Sequence, residues 1–308
     1  MMTAVSNISV VITCYSEGEL LWDAIHSIQQ QSFPALEILV VNDASRHPDT
    51  VNVCHQLEMQ PDVRVIWRQL NGGPSAARND GFKAAKGEIL VPLDGDDVLP
   101  EHALAAIHQA FQEHPEAGFI YGAYLRQDRA EGDAIAVHPG DVSLQTMLRS
   151  KPFSLSSNWK LIGTTPLRKS LWQSVGGYDT EFGVDDLHDV EFWIRTIATE
   201  CDYHAISQTI YTWRKYLGSN SRLVTPLAWY RVVKRHFDLY RQLGLEYRAY
   251  ELLLLGSKWL NQAEDIKNNS QALMRCLRNG QFRSSTLVAL AIPAFGLRGL
   301  ASYARQRR

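Results

Sequence analysis

Ile8-Ser9-Val10-Val11-Ile12-Thr13 is a β-branched run that gives way to Leu20, Leu21, Ala24, Ile25 and Ile28 at helical spacing, and this switch of period decides the fold. A buried strand followed by an amphipathic helix is one βα unit. Outward from it, Leu36-Glu37-Ile38-Leu39-Val40-Val41 starts a second unit with a polar helix near 47–59. Val63-Arg64-Val65-Ile66-Trp67 starts a third with a helix near 74–86, and Glu88-Ile89-Leu90-Val91-Pro92-Leu93 is a fourth strand. Repeats of this length predict an α/β fold, a doubly wound and mostly parallel sheet with helices on both faces joined by right-handed crossovers. Gly72-Gly73-Pro74 sets a proline near one helix start, Gly87 follows that helix, and Pro100-Glu101 opens another over 100–114. Residues 126–165 are less periodic, with one short helix around 142–149. Residues 187–199 read as a helix, 203–212 as a strand, and the chain after Pro226 as helical.

The 308 residues carry 31 Lys+Arg against 33 Asp+Glu, a formal net charge of -2 and 45 % hydrophobic residues. That balance excludes a disordered or fibrous chain and offers no global attraction for nucleic acid. At roughly 150 residues per domain, about two units, or one large α/β domain with an appendage, are expected. The opening MMTAVSNISVVIT lacks the marks of a secretory signal and no run is long enough to span a bilayer, so a cytoplasmic location is expected. Cys14, Cys54, Cys201 and Cys276 are scattered, which indicates neither a zinc ribbon nor a disulfide framework but small buried packing groups. After Asp265 there is no acidic residue, while Lys267, Arg275, Arg278, Arg283, Arg298, Arg305, Arg307 and Arg308 accumulate around the apolar stretch Thr286–Leu297. Such a segment suits a membrane interface with anionic headgroups; it equally suits a pair of helices docked on the domain.

In an open α/β sheet ligands bind outside the carboxyl ends of the strands, so the residues just after each strand are the candidates for chemistry. These are Thr13-Cys14-Tyr15-Ser16-Glu17, Asn42-Asp43-Ala44-Ser45, Asn71-Gly72-Gly73 and Asp94-Gly95-Asp96-Asp97. The last offers alternate carboxylates on a tight turn, donors for one hard divalent cation with positions left for diphosphate oxygens. Asp96 or Asp97 equally suits the cap of the helix that opens at Pro100. Asp43 ends a buried strand and needs a partner, which a nucleobase N–H or an Asx-turn within 42–45 would supply. From the second turn of its helix, the Arg78 guanidinium suits a base or phosphate, or a structural ion pair. Asp185, Asp186, Asp189 and Glu191 gather at the start of an amphipathic helix, as its dipole favours. Asp189 also suits a general base, while Glu191 points to another face as a structural group. No G-x-G-x-x-G follows the first strand, and no phosphate-loop, serine-elbow or H-E-x-x-H pattern is present.

Taken in order, Val10-Val11-Ile12-Thr13-Cys14-Tyr15, Ser27-Ile28-Gln29-Gln30-Gln31, Val40-Val41-Asn42-Asp43-Ala44-Ser45, Asn71-Gly72-Gly73-Pro74-Ser75-Ala76-Ala77-Arg78-Asn79 and Leu93-Asp94-Gly95-Asp96-Asp97 resemble family 2 glycosyltransferases of the GT-A fold. The likeness continues through Thr165–Lys169, Gly176-Gly177-Tyr178-Asp179 and His188–Arg195, covering roughly residues 8–222. It implies a Rossmann-like GT-A transferase domain over 1–222, with a nucleotide-binding half over 1–125 and an acceptor half over 126–222. A helical C-terminal region over 223–308 then follows, peripheral on the inner membrane face if its basic apolar end binds there. By resemblance Asp43 contacts the donor base, Asp94 the ribose or metal, and Asp96 the metal on the diphosphate. Thr13, Tyr15, Glu17 and Arg78 line the nucleotide site, and Asp189 is the catalytic base. The implied reaction is inverting and metal-dependent, with Mn2+ or Mg2+, a nucleotide-diphosphate sugar donor leaning to UDP, and a glycan or lipid-linked hydroxyl acceptor in cell-surface polysaccharide synthesis. Two departures stand out: His188 where many members have Glu, and Tyr216 where many have His. They leave open the alternative of a nucleotide-sugar-binding module without turnover, and a role for Arg214 and Lys215 in holding the diphosphate. A sugar-1-phosphate nucleotidyltransferase would need a Gly- and Arg-rich loop after the first strand, which Thr13-Cys14-Tyr15-Ser16 is not.

Overall fold

A computed structural model describes residues 6–130, 133–182, 187–217, 226–281, 283–294 and 297. In chain order the elements are β1 (Ile8–Cys14), α1 (Leu20–Gln29), β2 (Glu37–Asn42), α2 (Pro48–Leu57), β3 (Val63–Trp67), α3 (Gly73–Ala84), β4 (Ile89–Asp94), α4 (Ala103–Glu113), β5 (Phe119–Arg126) and β6 (Ile135–Val137). There follow α5 (Leu144–Leu148), β7 (Leu167–Arg168), α6 (Lys169–Ser174), α7 (His188–Ile197), β8 (Tyr203–Trp213), α8 (Pro226–Gln242), α9 (Glu246–Leu260), α10 (Ala263–Arg278) and α11 (Ser284–Ala291). The acidic pair Asp185-Asp186 and the arginines from Arg298 onward lie outside the described residues.

The chain separates into two compact units, Met1–Gly140 with Leu161–Val184 and His188–Ser221, and Asp141–Lys160 with Asp185–Leu187 and Arg222–Arg308. In the first unit an eight-stranded mixed sheet runs β3-β2-β1-β4-β7-β5-β6, with β8 paired to β5. β1, β2, β3 and β4 are parallel neighbours, as are β5 and β8, while β7 inserts antiparallel between β4 and β5. Every residue of β1 is buried, which is why apolar side chains fill both of its faces, with Ser9 and Thr13 the buried polar exceptions. Alternation still sorts its two sides. Val10 and Ile12 join Ile38, Val40 and Val91 against α1, α2 and α4, while Val11 and Val41 face α3. α3 comes so close there that a Cβ on Gly81 would sit 2.3 Å from Val11 Cγ1. The scattered cysteines are partly gathered by this core: Cys14 and Cys54 are both buried, with their sulfurs 3.8 Å apart.

Among its described residues the second unit carries α5 and α8 to α11, with a turn at 150–157 where Ser150 and Ser157 bridge. Segment 141–160, assigned from sequence to the acceptor half, packs in this unit instead. Leu155 carbonyl accepts from Arg248 Nη2 at 2.7 Å, and Ser150 Oγ meets Ser285 Oγ at 2.7 Å. The reason is charge: Arg248 and Glu251 are wholly buried on α9, 2.9 Å apart, and need this polar ring of Leu155, Ser285 and Thr286 to complete their hydrogen bonds. Lys258, also on α9, donates to the carbonyls of Ala289, Leu290 and Ile292 and so closes the C-terminal end of α11.

Candidate active site

The parallel order β2-β1-β4 carries the ends of three strands to one rim, where their loops are stitched together. Gly95 N–H donates to Thr13 carbonyl at 3.2 Å, Asp43 N–H to Cys14 carbonyl at 2.9 Å, and the Ser45 hydroxyl to Tyr15 carbonyl. Tyr15 stands edge-on to His47, and the Glu17 carboxylate folds back to accept Tyr15 N–H at 2.5 Å and Ser16 N–H at 2.7 Å. Thr13, Tyr15, Glu17, Asp43, Arg78, Asp94 and Asp96 thus belong to one rim.

The Asx-turn expected within 42–45 exists, but Asn42 makes it, its Oδ1 accepting Ser45 N–H at 2.8 Å. Asp43 is left to cap α3 from outside the helix: Gly72 N–H reaches Oδ1 at 3.0 Å and Gly73 N–H reaches Oδ2 at 2.7 Å. A carboxylate at a helix N-terminus meets both free amides and the positive end of the dipole. Arg68, just past β3, completes the cage by pairing with Asp43 while its Nε holds Asp80 at 2.6 Å.

The turn after β4 treats charge differently. Burial, then the carboxylates of Asp94 and Glu17, push Asp96 up to about 6. Burial, then Asp94 and Asp96, push Asp97 up to about 8, against the Tyr211 hydroxyl and Arg214 N–H that it accepts at 2.6 and 2.7 Å. Glu17 is raised as well, by burial first. Asp97 is therefore the anchor of the turn, tied to β8, and not a cap for α4. Arg214 gives Nε to Asp96 carbonyl at 2.6 Å and Nη1 to Asp23 at 2.6 Å while its Nη2 is buried without an acceptor; Lys215 is drawn to Asp128 at 3.3 Å. Tyr216 is exposed, and the following Gly218-Ser219 lie outside the described residues.

Among the described residues no three side chains converge as a ready-made metal cage. The donor set still fits a cation shared with a substrate. Asp94 and Asp96 offer hard oxygens in a crowd of carboxylates, and Mg2+-like ions take one or two carboxylates plus phosphate oxygens in preference to an all-protein shell.

Arg78 connects this rim to the helix carrying Asp189. Its buried guanidinium gives Nη2 to Asp94 at 2.5 Å and Nη1 to His188 Nε2 at 3.3 Å, and lies over the Tyr178 ring. Acceptance at Nε2 requires a neutral imidazole there. Burial opposes the Arg78 charge, yet Asp94 and Asp189 hold it firmly protonated, and Nε is buried without an acceptor. Both sequence alternatives for Arg78 thus bear on it: the ion pair is made, and one donor is left over. Asp189 Oδ1 accepts Val190 N–H at 2.9 Å, and Oδ2 presses on Gly163, where a Cβ would sit 2.6 Å away. Glu191 turns to the other face as expected, buried and paired twice with Arg195 at 2.9 and 3.0 Å. Arg195 then grips Val175 and Gly177 carbonyls at 2.6 and 2.7 Å, fixing α7 against the Gly176-Gly177 turn.

Comparison with known proteins matches residues 9–165 to the Glycosyl transferase family 2 model. The chain belongs to glycosyl transferase family 2. Among curated relatives of this family, it is 26 % identical over 241 residues to Glycosyltransferase GlyG of Streptococcus pneumoniae, covering 75 % of this chain and 78 % of that protein. It is 25 % identical over 185 residues to the poly-beta-1,6-N-acetyl-D-glucosamine synthase of Staphylococcus epidermidis, covering 59 % of this chain but 44 % of the synthase. Among solved structures, S. aureus TarS 1-349 in complex with UDP-GlcNAc superposes with a TM-score of 0.59 at 17 % identity, covering 98 % of this chain and 92 % of that one. The shared architecture agrees with the GT-A sheet and helical C-terminal part expected from sequence.

Family motifs alone miss Arg68 and Tyr211. Arg68 was within reach of the strand-end rule, one residue past β3. Tyr211 carries no local signal, because its partner Asp97 is 114 positions away.

Proposed function

We propose that this family 2 member is an inverting, metal-dependent transferase that moves a sugar from a UDP-sugar to a hydroxyl of a glycan or lipid-linked acceptor in cell-surface polysaccharide synthesis. The observation that carries the reading is Arg78, which joins the surplus-charge turn at Asp94 to the helix of Asp189 through one buried guanidinium. The names of the relatives support the chemistry, since one makes a poly-N-acetylglucosamine and a structural neighbour holds UDP-GlcNAc.

In this reading Thr13, Tyr15, Glu17 and Asp43 receive the nucleoside, Asp43 through the lone pairs that its helix-capping bonds leave unused. Asp94 and Asp96 would hold Mn2+ or Mg2+, which would supply positive charge for the diphosphate leaving group. The unpaired Nε of Arg78 is a further donor for the same anionic group. Asp189 accepts the proton of the acceptor hydroxyl as its oxygen attacks the anomeric carbon from the side opposite the leaving group.

Titration calorimetry with UDP, dTDP and GDP, with and without Mn2+, tests the donor half, and a transfer assay on Asp189→Asn tests the base. Metal-requiring binding of UDP is expected, with transfer by Asp189→Asn lower by ~10²–10⁴-fold at unchanged UDP affinity. Normal transfer by Asp189→Asn removes the base assignment. Donor binding without any transfer by the wild-type chain establishes the binding-module alternative instead.

A further inference from the structure

In the second unit the polar network that buries Ser285, Thr286 and Ala289 of α11 fixes which side of that helix is left outward. Ser284, Leu287, Val288 and Ala291 follow one another at i, i+3, i+4 and i+7, a single stripe, and Leu287 on it is 49 % exposed. Beside the start of the stripe, Ser284 Oγ accepts the backbone N–H of Phe153 at 2.9 Å. Phe153 sits at the tip of the turn closed by the Ser150–Ser157 bridge and is 79 % exposed. Its φ of 50° lies in the left-handed region, where a bulky aromatic residue is rare. Two chain segments thus combine to hold an aromatic ring in water next to an apolar helical stripe.

The stretches of chain that carry Phe153 and α11 hold charge of one sign. Segment 144–160 holds Arg149, Lys151 and Lys160 and no acidic residue, and the described residues after Asp265 hold Lys267, Arg275, Arg278 and Arg283 and no acidic residue. Arg149, Lys151 and Arg283 are exposed, Arg283 resting over the Tyr247 ring. Pairing this face with its own copy would bring like charges together. An anionic lipid surface instead accepts both components, the aromatic and aliphatic groups at the headgroup boundary and the basic groups among the phosphates.

We propose that Phe153 and the Leu287–Ala291 stripe of α11, ringed by Lys151, Arg149 and Arg283, form a docking surface for an anionic membrane. The surface stands independently of the sugar-transfer reading, since none of these residues belongs to the rim around Asp94 and Asp189. The test is flotation of the full-length chain with phosphatidylcholine vesicles, with and without phosphatidylglycerol, at low and high salt. Binding is expected with the anionic vesicles only, weakening as salt rises. Phe153→Gly is the discriminating variant, because glycine accepts a φ of 50° without strain. It should lower vesicle affinity about tenfold while leaving the unfolding temperature equal or higher, and Leu287→Gln should add about another tenfold. UDP affinity, measured on the same samples, should not change. The proposal is overturned if the wild-type chain fails to float with anionic vesicles, or if both variants float as it does. A concentration-dependent dimer that Phe153→Gly dissociates, without vesicle binding, overturns it in favour of self-association.

Discussion

The turns after β2 and β4 both place carboxylates at the end of a buried parallel strand, yet the charge after β2 is fully paired, whereas after β4 Arg78 pairs with Asp94 and leaves Asp96 and Asp97 crowded by other carboxylates. Asp43 receives Arg68 and two amides of α3. Asp96 and Asp97 face Asp94 and Glu17, and their protonation is pushed to about 6 and about 8. The difference separates two uses of the same residue type. A neutralised carboxylate supports the fold by itself, whereas a crowd of carboxylates costs the free protein stability.

Substitutions at the two turns should therefore act with opposite signs. The largest effect is expected for Asp96→Asn, which should weaken Mn2+-dependent UDP binding by ~10³-fold while raising the melting temperature of the free protein. Calorimetry and thermal unfolding of one preparation check both halves; a loss of stability would mean that the β4 turn is as well satisfied as the β2 turn. Next, Asp43→Asn should destabilise the free protein by ~3 kcal/mol in urea unfolding, because Arg68 and the end of α3 lose their counter-charge. A neutral outcome would erase the contrast from the other side. The smallest effect is a pH slope. Asp96 and Asp97 have folded-state pKa values above the ordinary 3.8, so the native protein binds more protons than the unfolded chain between pH 4 and pH 8. Their contribution to stability is present at the acid end of that window and is lost as pH rises through about 6 and then about 8. The melting temperature of the free protein should fall by ~5 °C from pH 5 to pH 8, and Asp97→Asn should flatten the slope.

The legibility of the sequence followed the range of the contacts. β1 to β4 and their helices could be read because each is a local switch of hydrophobic period, and the strand-end rule then selected the loops of Thr13, Asp43 and Asp94. β7 could not be read: two residues, Leu167 and Arg168, gain their identity only from antiparallel partners on β4 and β5. The fate of 141–160 was hidden for the same reason, since its attraction is to Arg248 and Ser285 about a hundred positions later. Within the site, the choice between ligand and ion pair for Arg78 depended on Asp94 lying across two strands. Glu191 was readable because its partner Arg195 is one helical turn away. The departure at His188 was visible as a letter, and its contact with Arg78 was not.

Asn79 on α3 grips the backbone of Tyr178 with both ends of its amide: Nδ2 donates to Tyr178 carbonyl at 2.8 Å, and Oδ1 accepts Tyr178 N–H at 2.8 Å as well as Trp172 Nε1–H at 3.2 Å. A side chain here imitates one rung of a β-ladder, and only an amide has both the donor and the acceptor to do so. Tyr178 in turn stacks on Phe192 of α7, 4.1 Å between ring centres. A mutational screen scored on catalytic output would therefore rank position 79 among the essential ones, and would be reporting the seam between two helices, not a group that handles sugar or nucleotide.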